Sequence, residues 1–209
     1  MKDAELLFDG PSAAGDRLVL AHGAGGPMDS PFMSTVARHI AAEGIEVIRF
    51  EFAYMAARRS GGGRSAPERE PALRSRWLEV IEHLGGWERL VIGGKSLGGR
   101  IASMVADSVG VRGLVCLGYP FHPPGNRDRL RTAHLENLTT PALIVQGTRD
   151  PFGTREEVAG YRLSRAIHLA WMEDGDHSFK PRKSSGATEA GNLESAAEEI
   201  VCFIRELSV

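Results

Sequence analysis

The chain has 209 residues, of which 42% are hydrophobic, and a formal net charge of −2. That length is enough for one well-buried core, so a single domain over residues 1–209 is predicted. The slightly negative charge and the lack of a recognisable binding module argue against a nucleic-acid partner, and no apolar run approaches the roughly 18 residues of a membrane span.

Apolar runs alternate with helix-like segments along the chain. Strands are predicted at residues 17–21, 45–52, 90–92, 113–118, 142–147 and 166–172, with residues 6–8 as a remnant of an antiparallel N-terminal strand. Helices are predicted at 31–43, 70–84, 97–108, 154–161 and 189–207. This alternation predicts an α/β fold, a mostly parallel sheet of about six strands or slightly more with helices on both faces. The irregular insertions, at about 55–72 and 119–137, are too short for a large cap.

The first of the six strands ends in an H-G-x-G-G loop at residues 22–26. A glycine-rich turn of this kind leaves backbone N–H groups free to face a developing oxyanion, and Ala24 would supply one of them. We expect Gly23 to contact the substrate and His22 to hydrogen-bond within the loop. The alternative, a phosphate-binding loop, is disfavoured because neither G-x-G-x-x-G nor G-x-x-x-x-G-K-[ST] is present.

The insertion at 55–72 begins an arginine-rich segment. Between residues 58 and 76, six arginines stand against two glutamates. One interpretation is an anion-attracting rim beside the active site, which would favour acidic acyl substrates or a partner. The other is an ordinary solvated loop and helix start, and it is favoured because charge runs are usually exposed faces.

Residues 94–98 have the G-x-S-x-G spacing of a nucleophile elbow, between a predicted strand and a predicted helix. We expect Gly94 and Gly98 to press against each other, so that only very small side chains fit. The turn would hold the Ser96 hydroxyl at the end of the strand, and the Leu97 N–H would face the oxyanion. The alternative is a glycine-rich turn with an incidental serine.

The next predicted strand ends at Gly118 and is followed by a proline-rich run. Proline fixes the backbone, and a rigid run of this kind suits a pocket wall. Tyr119 and His122 are therefore predicted to contact the substrate. No spaced cluster of His, Cys and carboxylate residues predicts a metal site, and no cofactor is expected.

Two further candidates follow later strands. Asp150 lies just past the strand at 142–147, and His177 lies past the strand at 166–172. The order Ser, Asp, His is that of an α/β-hydrolase triad, and functional groups gather at the carboxyl ends of parallel strands. Taken singly, Asp150 could be a turn-former and His177 a solvated loop residue. Asp174 and Asp176 are rival acids, but they share the short loop of His177 and would have to double back to reach it.

The cysteines and the N-terminus predict a cytoplasmic location. Cys116 falls in an apolar strand and Cys202 in an amphipathic helix, so both are predicted to be buried thiols in a reducing compartment. Residues 1–5 contain acidic side chains, and no long apolar stretch follows, so the pattern of a signal peptide is missing.

These motifs together resemble those of compact α/β-hydrolases. They stand at residues 22–26, 49–55, 94–100, 117–125, 146–153 and 174–179. The branch that they match resembles the hydrolase-like domains of a testis-expressed eukaryotic protein and of a KANSL-type subunit of a histone-acetyltransferase complex, and it is similar, more distantly, to dienelactone hydrolases. The resemblance spans about residues 16–207, and it implies the α/β-hydrolase fold and the triad positions.

The sequence therefore predicts a serine hydrolase acting on an ester or similar acyl bond through Ser96, His177 and Asp150. A small, soluble acyl substrate is expected, because no large cap is available to cover a long chain. Two alternatives stay open at this point: a catalytically silent scaffold for protein interaction, and an acyltransferase that uses the same triad. The oligomeric state is left open.

Overall fold

Seven strands form one sheet in the computed structural model, which describes residues 6–11, 15–61, 63 and 66–207. The strands are β1 (Leu6–Asp9), β2 (Arg17–Ala21), β3 (Glu46–Phe50), β4 (Leu90–Lys95), β5 (Gly113–Leu117), β6 (Ala142–Gly147) and β7 (Ile167–Met172). Their order across the sheet is β1-β3-β2-β4-β5-β6-β7, and only the β1–β3 pairing is antiparallel. The predicted α/β class and mostly parallel sheet are confirmed, and the remnant at residues 6–8 is an edge strand.

Helices cover both faces of this sheet. They are α1 (Pro31–Ala42), α2 (Ala53–Arg59), α3 (Glu70–Leu84), α4 (Leu97–Ser103), α5 (Ala106–Val109), α6 (Arg155–Val158) and α7 (Glu189–Glu206). Two apolar clusters separate the layers. One contains Trp77 of α3 and Ile101 of α4, and the other contains Met33 of α1 and Ile200 of α7. Strands buried on both sides require near-continuous apolar runs, which β4, β5 and β6 have.

The strand order reverses between β2 and β4. From β2 the chain moves outward to β3, and then it crosses back so that β4 pairs with the other side of β2. In open parallel sheets the crevice outside such a switch point is the usual binding site. The loop at residues 22–26 follows β2 and Ser96 follows β4, so this crevice receives both motifs.

Four predicted elements differ in extent, and one of them is the strand expected at 90–92, which continues to Lys95. The helix expected at 97–108 is two helices, because the Met104 and Val105 N–H groups bond three residues back and tighten the turn. The helix expected at 154–161 is the single turn of α6, begun by a Thr154 capping box. The strand expected to reach residue 52 ends at Phe50, and α2 occupies part of the insertion predicted to be irregular.

The prediction for Cys202 was wrong. Cys116 is buried in β5, but Cys202 is exposed, because the buried stripe of α7 runs along the opposite side of the helix. Both thiols are free. Within the described part of the chain, no helix combines the length and the apolar character needed to cross a membrane.

Candidate active site

Ser96 occupies the sharp turn between β4 and α4. Its backbone φ is 50° and ψ is −110°, a conformation that a residue with a side chain rarely adopts, and the Ser96 N–H donates to the carbonyl of Leu117 over 2.9 Å. A Cβ built on Gly94 would lie 2.2 Å from the carbonyl oxygen of Ala21, and one on Gly98 would lie 2.4 Å from the same atom. Any side chain at either glycine would therefore collide with the backbone at the end of β2.

Asp150 is fully buried in the loop that follows β6. Its Oδ1 accepts the backbone N–H of Phe152 at 2.8 Å, and its Oδ2 accepts the side-chain amide of Gln146 at 3.0 Å. A buried carboxylate needs such donors, because an uncompensated charge away from water is costly. Oδ2 also lies 2.7 Å from Nδ1 of His177, so the carboxylate holds the imidazole from one side.

His177 connects Asp150 to Ser96. While Nδ1 faces the carboxylate, Nε2 lies 2.9 Å from the hydroxyl oxygen of Ser96, and the side chain is 22% exposed. A neutral ring with its proton on Nδ1 satisfies both contacts: Nδ1–H donates to Asp150, and Nε2 accepts from the serine hydroxyl. The Phe152 ring packs on the imidazole, with 4.2 Å between ring centres.

The rival acids stabilise the histidine loop without touching the imidazole. The Asp174 carboxylate pairs with Arg149 at 2.9 Å and with the Nε of Arg182 at 2.8 Å, and these contacts lower its pKa to about 2. Asp176 Oδ1 accepts two backbone N–H groups of its own loop, at 2.8 and 3.0 Å. Both carboxylates are thus engaged in holding the chain around His177.

The loop at residues 22–26 is anchored by His22. Its Nδ1–H donates to the carbonyl of Gly23 over 2.7 Å, and its Nε2 accepts the N–H of Phe52 over 3.1 Å. This pattern requires a neutral ring, and burial indeed lowers the pKa of His22. The hydroxyl of Tyr54 donates to the same Gly23 carbonyl over 3.3 Å. The predicted role of His22, hydrogen bonding within its loop, matches this geometry.

The backbone N–H groups of Ala24 and Leu97 have no acceptor among the described residues. Leu97 is the first residue of α4, where the backbone N–H has no partner within the helix. Gly23 packs against the elbow, since a Cβ there would lie 3.7 Å from Cβ of Ser96. The roles predicted for Ala24 and Leu97 as oxyanion donors and for Gly23 as a substrate contact stay predictions.

An open cleft of about 370 Å³ surrounds Ser96 and His177. It is lined by Gly23, Ala24, Gly25, Gly26, Ser30, Phe32, Met33, Lys95, Ser96, Phe152, His177 and Ser178. Gly23 and Ala24 both border this cleft. Among the described residues, no group of three or more His, Cys, Asp or Glu side chains could hold a metal ion.

Tyr119 and His122 do not line this cleft, contrary to the prediction. Tyr119 is fully buried, with its hydroxyl donating to the Arg131 carbonyl over 2.9 Å and its N–H donating to Gln146 Oε1 over 2.7 Å. His122 is also buried, and its Nε2 lies 3.5 Å from a Glu157 carboxylate oxygen. The chain turns into the interior after Gly118. The proline-rich run therefore packs against the loop that carries Asp150, and the His122 N–H donates to the carbonyl of Phe152.

Arg59 and Arg76 of the arginine-rich segment pair with acidic residues of the fold. Arg59 pairs with Asp29 at 2.8 Å and with Glu51 at 2.7 Å, and Arg76 contacts Glu79 at 3.3 Å. None of the described arginines of this segment borders the cleft. Arg64 lies outside the described residues. These positions favour the interpretation of a solvated helix start over that of an anion-attracting rim.

Three residues that sequence reasoning missed surround Ser96, His177 and Asp150: Lys95, Gln146 and Phe152. Lys95 sits at the variable position of the elbow, and Phe152 is two residues past Asp150. Gln146 lies in a run of apolar strand residues. A polar side chain in such a run could have been recognised from the sequence, because a buried amide needs a hydrogen-bond partner.

Comparison with known proteins places this geometry in context. The model of a family described as an alpha/beta hydrolase domain matches residues 14–205. An alpha-beta serine hydrolase homologue from Coxiella burnetii has a TM-score of 0.70 at 21% identity, with 94% of this chain and 89% of that chain covered. Est1E from Butyrivibrio proteoclasticus, solved with ferulic acid bound, has a TM-score of 0.71 at 15% identity, covering 97% and 94%. A dienelactone hydrolase from Anabaena variabilis has a TM-score of 0.70 at 20% identity, covering 96% and 90%. The narrower resemblance to the branch with the KANSL-type subunit stays a prediction.

Proposed function

Because this chain belongs to the α/β-hydrolase domain family, we propose that it is a serine hydrolase that cleaves a carboxylic ester or similar acyl bond. The observation that carries the proposal is the continuous hydrogen-bonded chain from Ser96 Oγ through the His177 imidazole to Asp150 Oδ2, at 2.9 and 2.7 Å. A nucleophile, a base and an orienting acid at these distances are what covalent acyl transfer requires.

The reaction follows from the positions of the three groups. Ser96 Oγ attacks the acyl carbonyl while its proton passes to Nε2 of His177, and the imidazolium then protonates the departing alcohol. Water attacks the resulting acyl-enzyme with His177 again as base, and it releases the acid and the free serine. Asp150 keeps the proton of the neutral imidazole on Nδ1 and stabilises the imidazolium without becoming protonated itself.

Negative charge develops on the carbonyl oxygen in both steps. The N–H groups of Ala24 and Leu97 would donate hydrogen bonds to this oxyanion, since they flank Ser96 and have no other acceptor among the described residues. Removal of one such donor typically costs a factor of about 10²–10³ in turnover. Backbone donors held by a packed loop and a helix start need no reorganisation during the reaction.

A small, soluble acyl substrate fits the cleft. Its volume of about 370 Å³ is near the lower end for small-molecule sites, and Phe32, Met33 and Phe152 make part of its wall apolar. No inserted domain covers it within the described ranges. Ferulic acid is bound to Est1E, so feruloyl esters belong in the first panel of substrates, next to short aryl esters.

The domain assignment and location form part of the same proposal. We propose that residues 1–209 act as one catalytic domain, since the sheet and both helical layers contribute to the site. A cytoplasmic location is supported by two free thiols, one of them exposed.

The test uses a fluorophosphonate probe and intact-mass measurement on wild type, Ser96→Ala and Ser178→Ala. Ser178 lines the same cleft but lies outside the hydrogen-bonded chain, so its variant is the matched control. We expect one adduct on wild type and on Ser178→Ala, and none on Ser96→Ala. A folded wild-type protein that takes up no probe would contradict the proposal.

A further inference from the structure

The side chain of Lys95 lies where three loops of the active site meet. Lys95 precedes Ser96, and it is only 8% exposed. A Cβ built on Gly23 of the oxyanion loop would lie 3.3 Å from its Cγ, and a Cβ built on Gly118 after β5 would lie 2.8 Å from its Nζ. The Nζ itself donates a hydrogen bond to the backbone carbonyl of His177. One side chain thus spans from the elbow to the histidine loop.

The backbone of the histidine loop needs external support. Asp174 has φ of 52° and Phe179 has φ of 65°, so residues with side chains adopt the left-handed region on both sides of His177. Such conformations persist only where the surrounding structure enforces them. Asn192 holds the carbonyl of Phe179 over 2.8 Å and Arg149 holds that of Asp174 over 2.9 Å, while the Lys95 ammonium holds the carbonyl of His177 between them.

This arrangement is unfavourable for folding. The ammonium lies over the Phe32 ring, 5.1 Å from its centre, and 5.8 Å from the centre of the Phe179 ring, and these cation–π contacts offset part of the cost of burial. Among the described residues, no carboxylate is within ion-pair distance of it. Burial lowers the pKa of Lys95 to about 8. A buried cation without a carboxylate partner costs stability relative to an apolar side chain of similar length.

We propose that Lys95 is a positioning residue, which holds the main chain at His177 so that the imidazole stays aligned between Ser96 and Asp150. This inference rests on the proposed function for its kinetic consequence only. Destabilised groups are common where activity requires a particular geometry. A purely structural lysine makes the opposite prediction, because its removal would lower stability first and activity only as the protein unfolds.

Lys95→Met separates the two roles, since it keeps the length of the side chain and removes the donor and the charge. We expect a melting temperature equal to or above that of wild type, together with a kcat lower by about 10- to 100-fold, the effect of a small misalignment of reacting groups. KM should change by less than about threefold, because uniform binding is retained. Lys183→Met, at an exposed lysine, is the matched control and should leave all three quantities unchanged.

A proton NMR measurement tests the alignment without any substrate. The His177 Nδ1–H proton bonded to Asp150 should give a strongly downfield signal in wild type, in Ser96→Ala and in Lys183→Met. In Lys95→Met, and in the polar neutral variant Lys95→Gln, the signal should be lost or shifted. If wild type takes up no fluorophosphonate but the signal still depends on Lys95, the proposed function fails while the positioning role stands.

Two results would overturn the inference. One is a Lys95→Met protein with an unchanged downfield signal and a kcat within about twofold of wild type. The other is a Lys95→Met protein whose melting temperature lies well below that of wild type, or that does not fold, since Lys95 would then be a structural residue.

Discussion

The side-chain amide of Gln146 lies 3.0 Å from Asp150 Oδ2, the oxygen that also faces His177 Nδ1 at 2.7 Å. Gln146 is fully buried at the end of β6, and its Oε1 accepts the N–H of Tyr119 at 2.7 Å. The glutamine therefore joins the ends of β5 and β6 and fixes the rotamer of the acid. Buried networks of this kind are stable only when every member is satisfied.

Replacement of Gln146 by Met tests this relationship. We expect kcat to fall about tenfold, because Asp150 loses one of its donors, and the free energy of unfolding to fall by about 1–3 kcal/mol, because the Tyr119 N–H loses its acceptor. Both are measured on the same preparation, by ester hydrolysis and by urea unfolding. An unchanged kcat at temperatures where both proteins are folded would show that Asp150 is oriented without Gln146.

Gly98→Ala tests the packing that creates the elbow. In a helix this change normally stabilises by up to about 1 kcal/mol, but here the new Cβ would lie 2.4 Å from the Ala21 carbonyl oxygen. Backbone atoms have little freedom to move, so we expect a net loss of roughly 1–3 kcal/mol or more and loss of fluorophosphonate labelling.

Gly160→Ala is the matched control for this change. A Cβ at Gly160 would have its nearest neighbour at an ordinary contact distance of 3.5 Å, so the stability of the Gly160→Ala protein should differ little from that of wild type. Equal melting temperatures for the two alanine variants would refute the packing argument.

The Asp174 carboxylate gives a pH-dependent prediction. Arg182 and Arg149 lower its pKa to about 2, from an ordinary 3.8. The folded protein thus binds this proton less readily than the unfolded chain does. The ionised carboxylate therefore stabilises the fold at pH values above its ordinary pKa of 3.8, and this stabilisation is lost as the pH falls through about 2.

Asp174→Asn should show this directly. We expect its melting temperature to lie below that of wild type at neutral pH, with a difference that shrinks between about pH 4 and pH 2. Calorimetry of both proteins across this range is the measurement. A difference of constant size down to pH 2 would mean that the asparagine disturbs packing and that ionisation plays no part.

Phe152 provides the fourth prediction, because its ring packs on the His177 imidazole and also lines the cleft. Phe152→Ala should lower kcat/KM for aryl esters by about tenfold, mainly through KM, since a buried aromatic contact of about 1–1.5 kcal/mol is lost. The effect on a short acetyl ester should be smaller. Phe152→Leu keeps an apolar wall, so its kcat/KM for aryl esters should lie between those of wild type and Phe152→Ala. Equal losses of kcat/KM for aryl and acetyl esters would argue against a contact between Phe152 and the substrate.

The strands, the order of the motifs and the positions of Ser96, Asp150 and His177 follow from local patterns in the sequence. Apolar runs bounded by glycine predict buried strands, and each candidate residue stands a few positions past such a run. Parallel strands place their carboxyl ends at one edge of the sheet, so residues 54 and 27 positions apart could be expected to meet. The break after α4 was missed because it depends on a local tightening of the backbone, and the exposure of Cys202 was missed because it depends on which side of α7 faces the core.

Side-chain pairing across the fold was decided only by the tertiary structure. Nothing in the sequence near Lys95 indicates that its ammonium contacts the carbonyl of His177, or that Gly94 and Gly98 are required by Ala21 of a neighbouring strand. The inward turn that buries Tyr119 is equally non-local. The periodicity of apolar residues along a chain indicates whether each residue is buried or exposed. The identity of the residues that it contacts depends on how distant segments pack, because in a close-packed interior the position of each side chain depends on all the others.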